Sequence, residues 1–505
     1  MEKDPITPEE MRILEYNSEY LGVTISMLME NAGREVARII EKTTKVSGKH
    51  IAILCGLGGN GGDGMVTARY LDEAGAFVDV YLLGDELMIR NKDTLHNWEI
   101  LRNLHDILSE ELPTESAVKT CRAIKEADIL VDGIMGFGLR SKLREPMLTA
   151  VKMLNKSPAI KYAIDVPSGI DSETGAVYSA AVKADHTITL HAPKVGMSKA
   201  KEYLGKLHVV SIGIPSEAKY TSGPGDLRPF KQLRSVYAKK GDFGRILVIG
   251  GSDVYSGAPA LAGMAALRTG ADLVSVLVPD PVVSAIRSYS PNLMVTSLGS
   301  RVLLPETVDT VVEHVKSNHV VALGPGLGLE QQTKVAVTSI VEHLVKLKTP
   351  LVLDADGLKA LASSELKLNP ELMVMTPHWG ELSILLEHEL GDDTLLPNRV
   401  DQAVECAKKY NAIILLKGPV DVIAAPDGTF KLNRTGVPAM TVGGTGDVLT
   451  GIVAGLLASG REAIQAASAA AFISGVAGEM AFNERGNHIV ATDCIENIHR
   501  VFDKY

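Results

Sequence analysis

Two series of short apolar runs, each closing on a turn-forming or polar residue and most separated by helix-length stretches, constrain this chain more than any other feature. In the first series the runs are IAILCG at 51–56, VDVYLL at 78–83, ILVDGI at 129–134, YAIDVP at 162–167 and HTITLH at 186–191. The second holds RILVIGG at 245–251, LVSVLVP at 273–279, VVALGPG at 320–326, LVLDAD at 351–356, LMVMTPH at 372–378 and AIILLKG at 412–418, and the chain then ends in helices. Short apolar runs bounded by Gly, Pro or Asp read as buried strands. Strands alternating with helices read as βαβ units, hence as mostly parallel sheets. Helical patterns near 7–20 and 26–41 precede the first series. Between the series, TSGPGDLRPF at 221–230 has the composition of a linker, which sets an expected boundary near residue 225 and domains at 1–224 and 225–505. At 505 residues the chain also exceeds the ~250–300 residues at which one core stops growing, so two domains are expected.

Composition removes several classes of function. Hydrophobic residues at 46% against 22% charged leave little room for long disordered tails. Aromatics at 5% and a formal charge of −10 disfavour nucleic acid, which needs stacking surfaces or a segregated basic patch. Lys239 and Lys240 cluster, yet nearby acids offset them. Cys55, Cys121, Cys406 and Cys494 form no CxxC pair, so neither a zinc site nor a disulfide framework is signalled. The acidic N-terminus lacks the basic head of an export signal. The apolar stretches 448–458 and 463–477 are interrupted by Ser459, Gly460, Arg461 and Glu462 and read as buried helices rather than membrane spans. A cytoplasmic enzyme is the expectation, and the alanine-rich helices are compatible with a homo-oligomer.

The first candidate site starts at GLGGNGGDG, residues 56–64, directly after the IAILC strand. Ligands bind at the carboxyl ends of strands in open α/β sheets. Glycines let a ligand approach the backbone closely, and a following helix N-terminus favours an anion. The spacing is not that of the dinucleotide fingerprint, and Asn60 and Asp63 add polar groups a bare turn does not need. Asp132 in VDGIMGFGL and Asp165 with Ser168 in IDVPSGID end further strands on the same edge. Each carboxylate is either an acid/base group tuned by the crevice or a turn and N-cap aspartate.

LMENAG at 28–33, GLGGNGGDG, VDGIMGFGL and IDVPSGI, in that order, resemble the N-terminal domain of the NAD(P)HX epimerases over roughly residues 5–215. The resemblance implies a Rossmann-like three-layer sandwich that interconverts the R and S epimers of hydrated NADH and NADPH. It assigns Gly59, Asn60, Gly61, Gly62 and Asp63 to substrate. Gly136, Phe137, Gly138, Leu139, Arg140, Ser141 and Lys142 line the same pocket, and Asp165 also contacts substrate as the acid/base group. Asn60, Asp132 and Ser168 match positions that bind a potassium ion, and all three offer the oxygen ligands a hard cation prefers. One departure stands out: where the family usually carries two asparagines in the loop, the first is Gly59 here.

The second candidate site is VGGTGDVLTGIVAGLLA at 442–458, a glycine cluster before an apolar helix with Asp447 in its first turn. Backbone N–H groups at Gly444, Thr445 and Gly446 together with the helix dipole make an anion hole. A carboxylate beside such a hole can take a hydroxyl proton while phosphoryl transfer proceeds, whereas an ordinary helix-capping Asp would do neither. The GGTGD string resembles the ribokinase-like superfamily. YSGAPALAG at 255–263, GPGLG at 324–328, LDADGL at 353–358, TPHWGE at 376–381 and LLKGP at 415–419 narrow it to the ADP- or ATP-dependent NAD(P)HX dehydratases, over about residues 235–500.

That resemblance implies a ribokinase-like three-layer α/β/α domain. It gives Ala258, Gly326, His378 and Asp447 to the hydrated cofactor, with Asp447 catalytic. Lys417, Gly418, Pro419, Val420 and Asp421 hold ADP, as do Val437, Pro438, Ala439, Met440, Thr441 and Val442, followed by Gly443, Gly444, Thr445 and Gly446. His378 has the alternative of bonding its own loop. Asp354 and Asp356 suit water-mediated Mg²⁺ ligands. The combined expectation is repair of NADHX and NADPHX: epimerisation, then phosphorylation of the ring hydroxyl of the S form by ADP and loss of phosphate to NAD(P)H. Two rivals are a vitamin-type alcohol kinase with the same GGTGD chemistry and a first domain reduced to a ligand-binding module.

Overall fold

Every apolar run of the first series forms a strand of one seven-stranded parallel sheet. In chain order these are β1 (His50–Cys55), β2 (Phe77–Leu82), β3 (Leu108–Glu111), β4 (Ile129–Gly133), β5 (Ile160–Ile164), β6 (His186–Leu190) and β7 (Lys206–Val210). Their order across the sheet is β3-β2-β1-β4-β5-β6-β7. In the middle, Ile53 of β1 pairs with Val80 of β2 and with Val131 of β4. Ile51 and Ile53 enter one hydrophobic cluster while Ala52 and Leu54 enter another, so both faces of the sheet are covered and the unit has three layers.

The second series builds a nine-stranded sheet: β8 (Arg245–Ile249), β9 (Leu273–Val278), β10 (Met294–Ser297), β11 (Val320–Leu323), β12 (Leu351–Leu353), β13 (Met373–Met375), β14 (Ile413–Leu416), β15 (Asp421–Ala424) and β16 (Phe430–Asn433). The order is β10-β9-β8-β11-β12-β13-β14-β15-β16. It is parallel up to β14, after which β15 and β16 add an antiparallel end. Alternate residues again serve two cores, Ile246 and Val248 on one face and Leu247 and Ile249 on the other. This computed structural model describes residues 4–139, 141–231, 234–362 and 364–505. The units are Met1–Ala218 and Lys219–Tyr505.

Three expectations need correction. β3, β7, β10, β15 and β16 are absent from the sequence reading; all are short, and all but β15 are edge strands whose exposed positions break the apolar run. The glycine loop of 56–64 is largely helix: Gly59–Glu73 starts inside it. Glycine is a poor helix former, but a Cβ on Gly61 would stand 1.9 Å from the Gly56 carbonyl oxygen, so packing overrides propensity. The supposed linker also belongs to the second unit. Ser222 N donates to Leu432 O at 2.9 Å, Asp226 pairs with Lys431, and Leu227 is fully buried in the core.

The helix Pro8–Tyr20 opens with a capping box in which Thr7 and Glu10 satisfy each other's backbone N–H groups. Just before it, Ile6 forms a parallel bridge with Lys194, with Ile6 N on Pro193 O at 2.9 Å and Val195 N on Ile6 O at 3.1 Å. The apolar stretches 448–458 and 463–477 lie in the buried helices Thr445–Leu457 and Ala463–Arg485. Among the described residues no helix is long and apolar enough to cross a membrane.

Candidate active sites

In the first unit the parallel sheet brings the ends of β1, β4, β5 and β6 to one rim. Asp165, the residue after β5, is held at φ +63°, in the left-handed region that an L-residue adopts only when its surroundings impose it. Its N–H donates to Ile188 O at 2.8 Å. Its Oδ1 accepts from Lys194 Nζ, from Leu190 N at 3.2 Å and from Thr189 Oγ1 at 3.3 Å. Lys194 is only 1% exposed, and its ammonium also reaches the carbonyls of Leu190 at 2.9 Å and Ala192 at 3.2 Å. A buried ammonium with a full set of partners is a paired charge, not an orphan.

The other carboxylate oxygen of Asp165 faces Gly136, as does Asn60: a Cβ on Gly136 would stand 3.3 Å from Asp165 Oδ2 and 3.1 Å from Asn60 Oδ1. Asp63 is buried nearby. Burial pushes its carboxyl well above the usual range, Asp165 and Glu15 add to the effect, and Lys194 opposes it. Phe137 lies under two cations, Arg12 at 5.5 Å and Lys194 at 5.9 Å from the ring centroid. Of the remaining loop, Leu139 is turned into the core, Gly138, Ser141 and Lys142 are exposed, and Arg140 lies outside the described residues. Gly59 is open: a Cβ there meets nothing within 4 Å.

Asp132 and Ser168 are directly bonded. Ser168 Oγ donates to Asp132 Oδ1 at 2.6 Å and Ser168 N to Oδ2 at 2.8 Å. Burial pushes Asp132 up to about 6 against the lowering effect of these bonds. Asn60 reaches the same corner through its backbone, its carbonyl oxygen lying 3.2 Å from the position of a Cβ on Gly133. Its side-chain Nδ2 is buried without a hydrogen-bond partner. The corner therefore gathers oxygens of Asp132, Ser168 and Asn60, the ligand type a hard monovalent cation fits, whereas the unpartnered Asn60 Nδ2 is an N–H donor and not a cation ligand.

Sequence reading missed Lys194 and Glu15. Lys194 sits in HAPKVG, which carries no signature beyond following a strand, and Glu15 is one acid on a helix with other acids. Its carboxyl is pushed up to about 7 by burial first and then by Asp165, with Lys194 and Arg12 opposing.

In the second unit, helix Thr445–Leu457 has Gly444 as N-cap, at φ +96° and with no side-chain hydrogen bond to the cap. Its first-turn N–H groups are thus available to an anion. Asp447 stands in that turn without capping it. Burial pushes Asp447 up to about 7, Asp354 and Asp356 add to this, and Lys417 opposes it. Lys417 directly follows β14; its N–H donates to Pro377 O at 2.8 Å, and its Nζ pairs with Asp354 at 2.9 Å. A Cβ on Gly446 would stand 3.5 Å from that ammonium. Burial works against the charge of Lys417, but Asp354 and Glu381 raise it overall.

Asp354 sits behind Lys417. Its Oδ1 is used by Lys417 and its Oδ2 by Thr450 Oγ1 at 2.7 Å, and it is almost wholly buried. Those bonds make it the anchor of Lys417. Asp356 is half-buried, with Gly328 N at 2.9 Å and Lys359 at 3.2 Å.

His378 both caps and points outward. Its Nδ1 accepts from Glu381 N at 3.3 Å while Glu381 accepts from His378 N at 3.0 Å, yet the side chain is 59% exposed. Gly326, at φ +69°, abuts Ala258, whose Cβ lies 3.5 Å from where a Cβ on Gly326 would be. In the nucleotide loop, Gly418 to Asp421 form the turn from β14 to β15. Asp421 closes it by accepting from Gly418 N at 2.9 Å, and burial pushes its carboxyl up to about 6. Residues 437–446 line the rim, half-buried or exposed.

Residues 246–500 match the family described as NAD(P)H-hydrate dehydratase, and residues 25–196 match the YjeF-related protein N-terminus. Over nearly their whole length the relatives are similar too. The bifunctional NAD(P)H-hydrate repair enzyme of Pyrobaculum aerophilum is 42% identical over 99% of both chains, and that of Hyperthermus butylicus 41% identical over 98% of this chain and 91% of its own. Among solved structures, an ADP/ATP-dependent NAD(P)H-hydrate dehydratase from Bacillus subtilis, co-crystallised with ATP and Mg²⁺, is 28% identical over 55% of this chain and 95% of its own, with a TM-score of 0.47.

Proposed function

The chain belongs to the family of bifunctional NAD(P)H-hydrate repair enzymes, and from that premise we propose how its two units divide the work. The first epimerises R and S NAD(P)HX, with Asp165 as acid/base group and the residues around Gly136 and Asn60 holding substrate. The second dehydrates the S form to NAD(P)H, with ADP as phosphoryl donor bound along the turn 417–421 and the rim 437–446. A vitamin-type kinase or an inert first domain leaves the similarity along the whole chain unaccounted for.

One observation carries the dehydratase assignment: Asp447, with a carboxyl held near 7, stands at an uncapped helix N-terminus beside Lys417. A base that titrates near neutrality is well matched to removing the proton of the ring hydroxyl. The first-turn N–H groups and Lys417 receive the charge of the transferring phosphoryl group. Mg²⁺, when bound with the nucleotide, neutralises phosphate charge; Asp356 is the carboxylate suited to meet its water shell. A potassium ion in the first unit would be held by oxygens of Asn60, Asp132 and Ser168. An intracellular, cytoplasmic site of action follows from the substrates, which are damaged forms of intracellular cofactors.

The test supplies purified protein with an R/S mixture of NADHX, ADP, Mg²⁺ and K⁺ and follows the absorbance of reduced nicotinamide. Complete recovery of NADH is expected. Recovery stopping at the S fraction would remove the epimerase, and a stable phosphorylated product would restore the kinase reading.

A further inference from the structure

The N-terminal helix is strapped onto the first active site. The Ile6–Lys194 bridge joins the residues before Pro8–Tyr20 to the segment that carries Lys194. Met11 buries one side of the helix in the core, and Arg12 on the next position covers Phe137 of the substrate loop. Glu15 lies one turn beyond Arg12, hence on the same face. It interacts electrostatically with Asp165, Lys194 and Asp63.

Asp165 pairs directly with the buried ammonium of Lys194, and Asp63 and Glu15 each interact electrostatically with that pair. Lys194 bonds Asp165 directly and balances one charge only. Uncompensated carboxylates in such a site keep their protons. The site thus joins a paired base to acids whose protonated forms burial favours, the combination a reaction needs when it expels a hydroxyl and admits a water.

We infer that Glu15 is a second catalytic residue of the epimerase, giving its proton to the departing ring hydroxyl while Asp165 takes a proton from the water that returns. This rests on the reading of the first unit as the epimerase. Hydration of the ring enamine puts the hydroxyl on a carbon bonded to the ring nitrogen. The C–O bond breaks as the nitrogen lone pair forms C=N, and the oxygen leaves as water with the Glu15 proton. Water then adds to the other face, the C=N electrons return to nitrogen, and the surplus proton passes to Asp165. One proton has moved from Glu15 to Asp165, and exchange with water after product leaves, Asp165 losing a proton and Glu15 gaining one, resets the pair for the next turnover.

The experiment uses the full-length protein without ADP and follows conversion of R-enriched NADHX to the S form by chromatography, with dehydratase activity on the S form measured separately. Glu15→Gln is expected to lower epimerase kcat by about 10²–10⁴-fold, with KM and dehydratase activity within about twofold of wild type. Glu15 acts as the protonated form, so wild-type epimerisation should decline as pH rises through about 7. That limb should be missing in Glu15→Gln, while Asp63, Asp165, Lys194 and Arg12, the charged groups facing Glu15, remain. A smaller loss, or a limb that persists, overturns the inference. If Glu15→Gln does not fold, Glu15→Asp takes its place: a displaced limb supports the role and an unmoved one overturns it. A wild-type protein that does not epimerise at all would instead overturn the reading of the unit, and the inference with it.

Discussion

Asp165 and Asp447 end up in opposite settings. Asp165 is bonded to a fully buried lysine, fixed in a left-handed backbone conformation and enclosed by Gly136, Asn60 and Phe137. Asp447 has no lysine of its own: Lys417 is held on Asp354, and the helix end in front of it is uncapped. A site that needs no second substrate beyond water can be completed in advance, its charges paired before substrate arrives. A site that accepts a phosphoryl donor has to leave backbone donors open, because the nucleotide is the missing partner.

The same substitution in both sites gives the strongest way to break this contrast. Asp165→Asn should abolish epimerisation. It should also destabilise the first unit by about 3–5 kcal/mol, since Lys194 loses its counter-charge while still buried; denaturant unfolding measures the second effect. Asp447→Asn should lower dehydratase kcat by about 10²–10⁴-fold and leave thermal unfolding of the second unit undiminished, because a desolvated carboxylate is removed and no bonded partner is stranded. Equal stability losses in the two variants would abolish the distinction.

A third test sharpens it by pH. Asp447 acts as the carboxylate and its value is raised to about 7, so dehydratase kcat should climb roughly tenfold per unit below that and level off above it, in a profile taken with saturating ADP. The epimerase should run level below about 7 and fall above it. The smallest effect is expected at Gly59: with open space around its Cβ position, Gly59→Asn should fold normally and change epimerase KM by less than about tenfold, the range of one added hydrogen bond to substrate.

Central strands were legible because residues such as Ile51, Ala52 and Ile53 are buried on both faces and so form unbroken apolar runs. β3, reading LSEE, and β16, reading FKLN, are edge strands and gave no such run. The turn at Asp427 and Gly428, bonded from Ala425 N to Thr429 O at 2.9 Å, was the available signal for the β15–β16 hairpin. Glycine-marked site residues were found because close backbone approach needs glycine. Lys194 and Glu15 were not, since only the fold brings the ends of β6 and the first helix together. The segment 221–230 misled for a related reason: Gly and Pro serve a buried tight entry as readily as an exposed linker, and burial of Leu227 is what separates the two.

The bridge between Ile6 and Lys194 also sets an order of assembly. Ile6 leaves the ribosome long before Lys194 does, and the two segments meet only after nearly the whole first unit has been synthesised. Closing so long a loop is slow compared with forming any single helix. The first helix therefore waits, formed or unformed, for its docking place. An emerging chain displays the glycine loop and Asp132 well before it can hold Asp165 against its lysine. Epimerase activity should accordingly arise late and all at once during synthesis, when the last strands of the sheet capture the beginning of the chain.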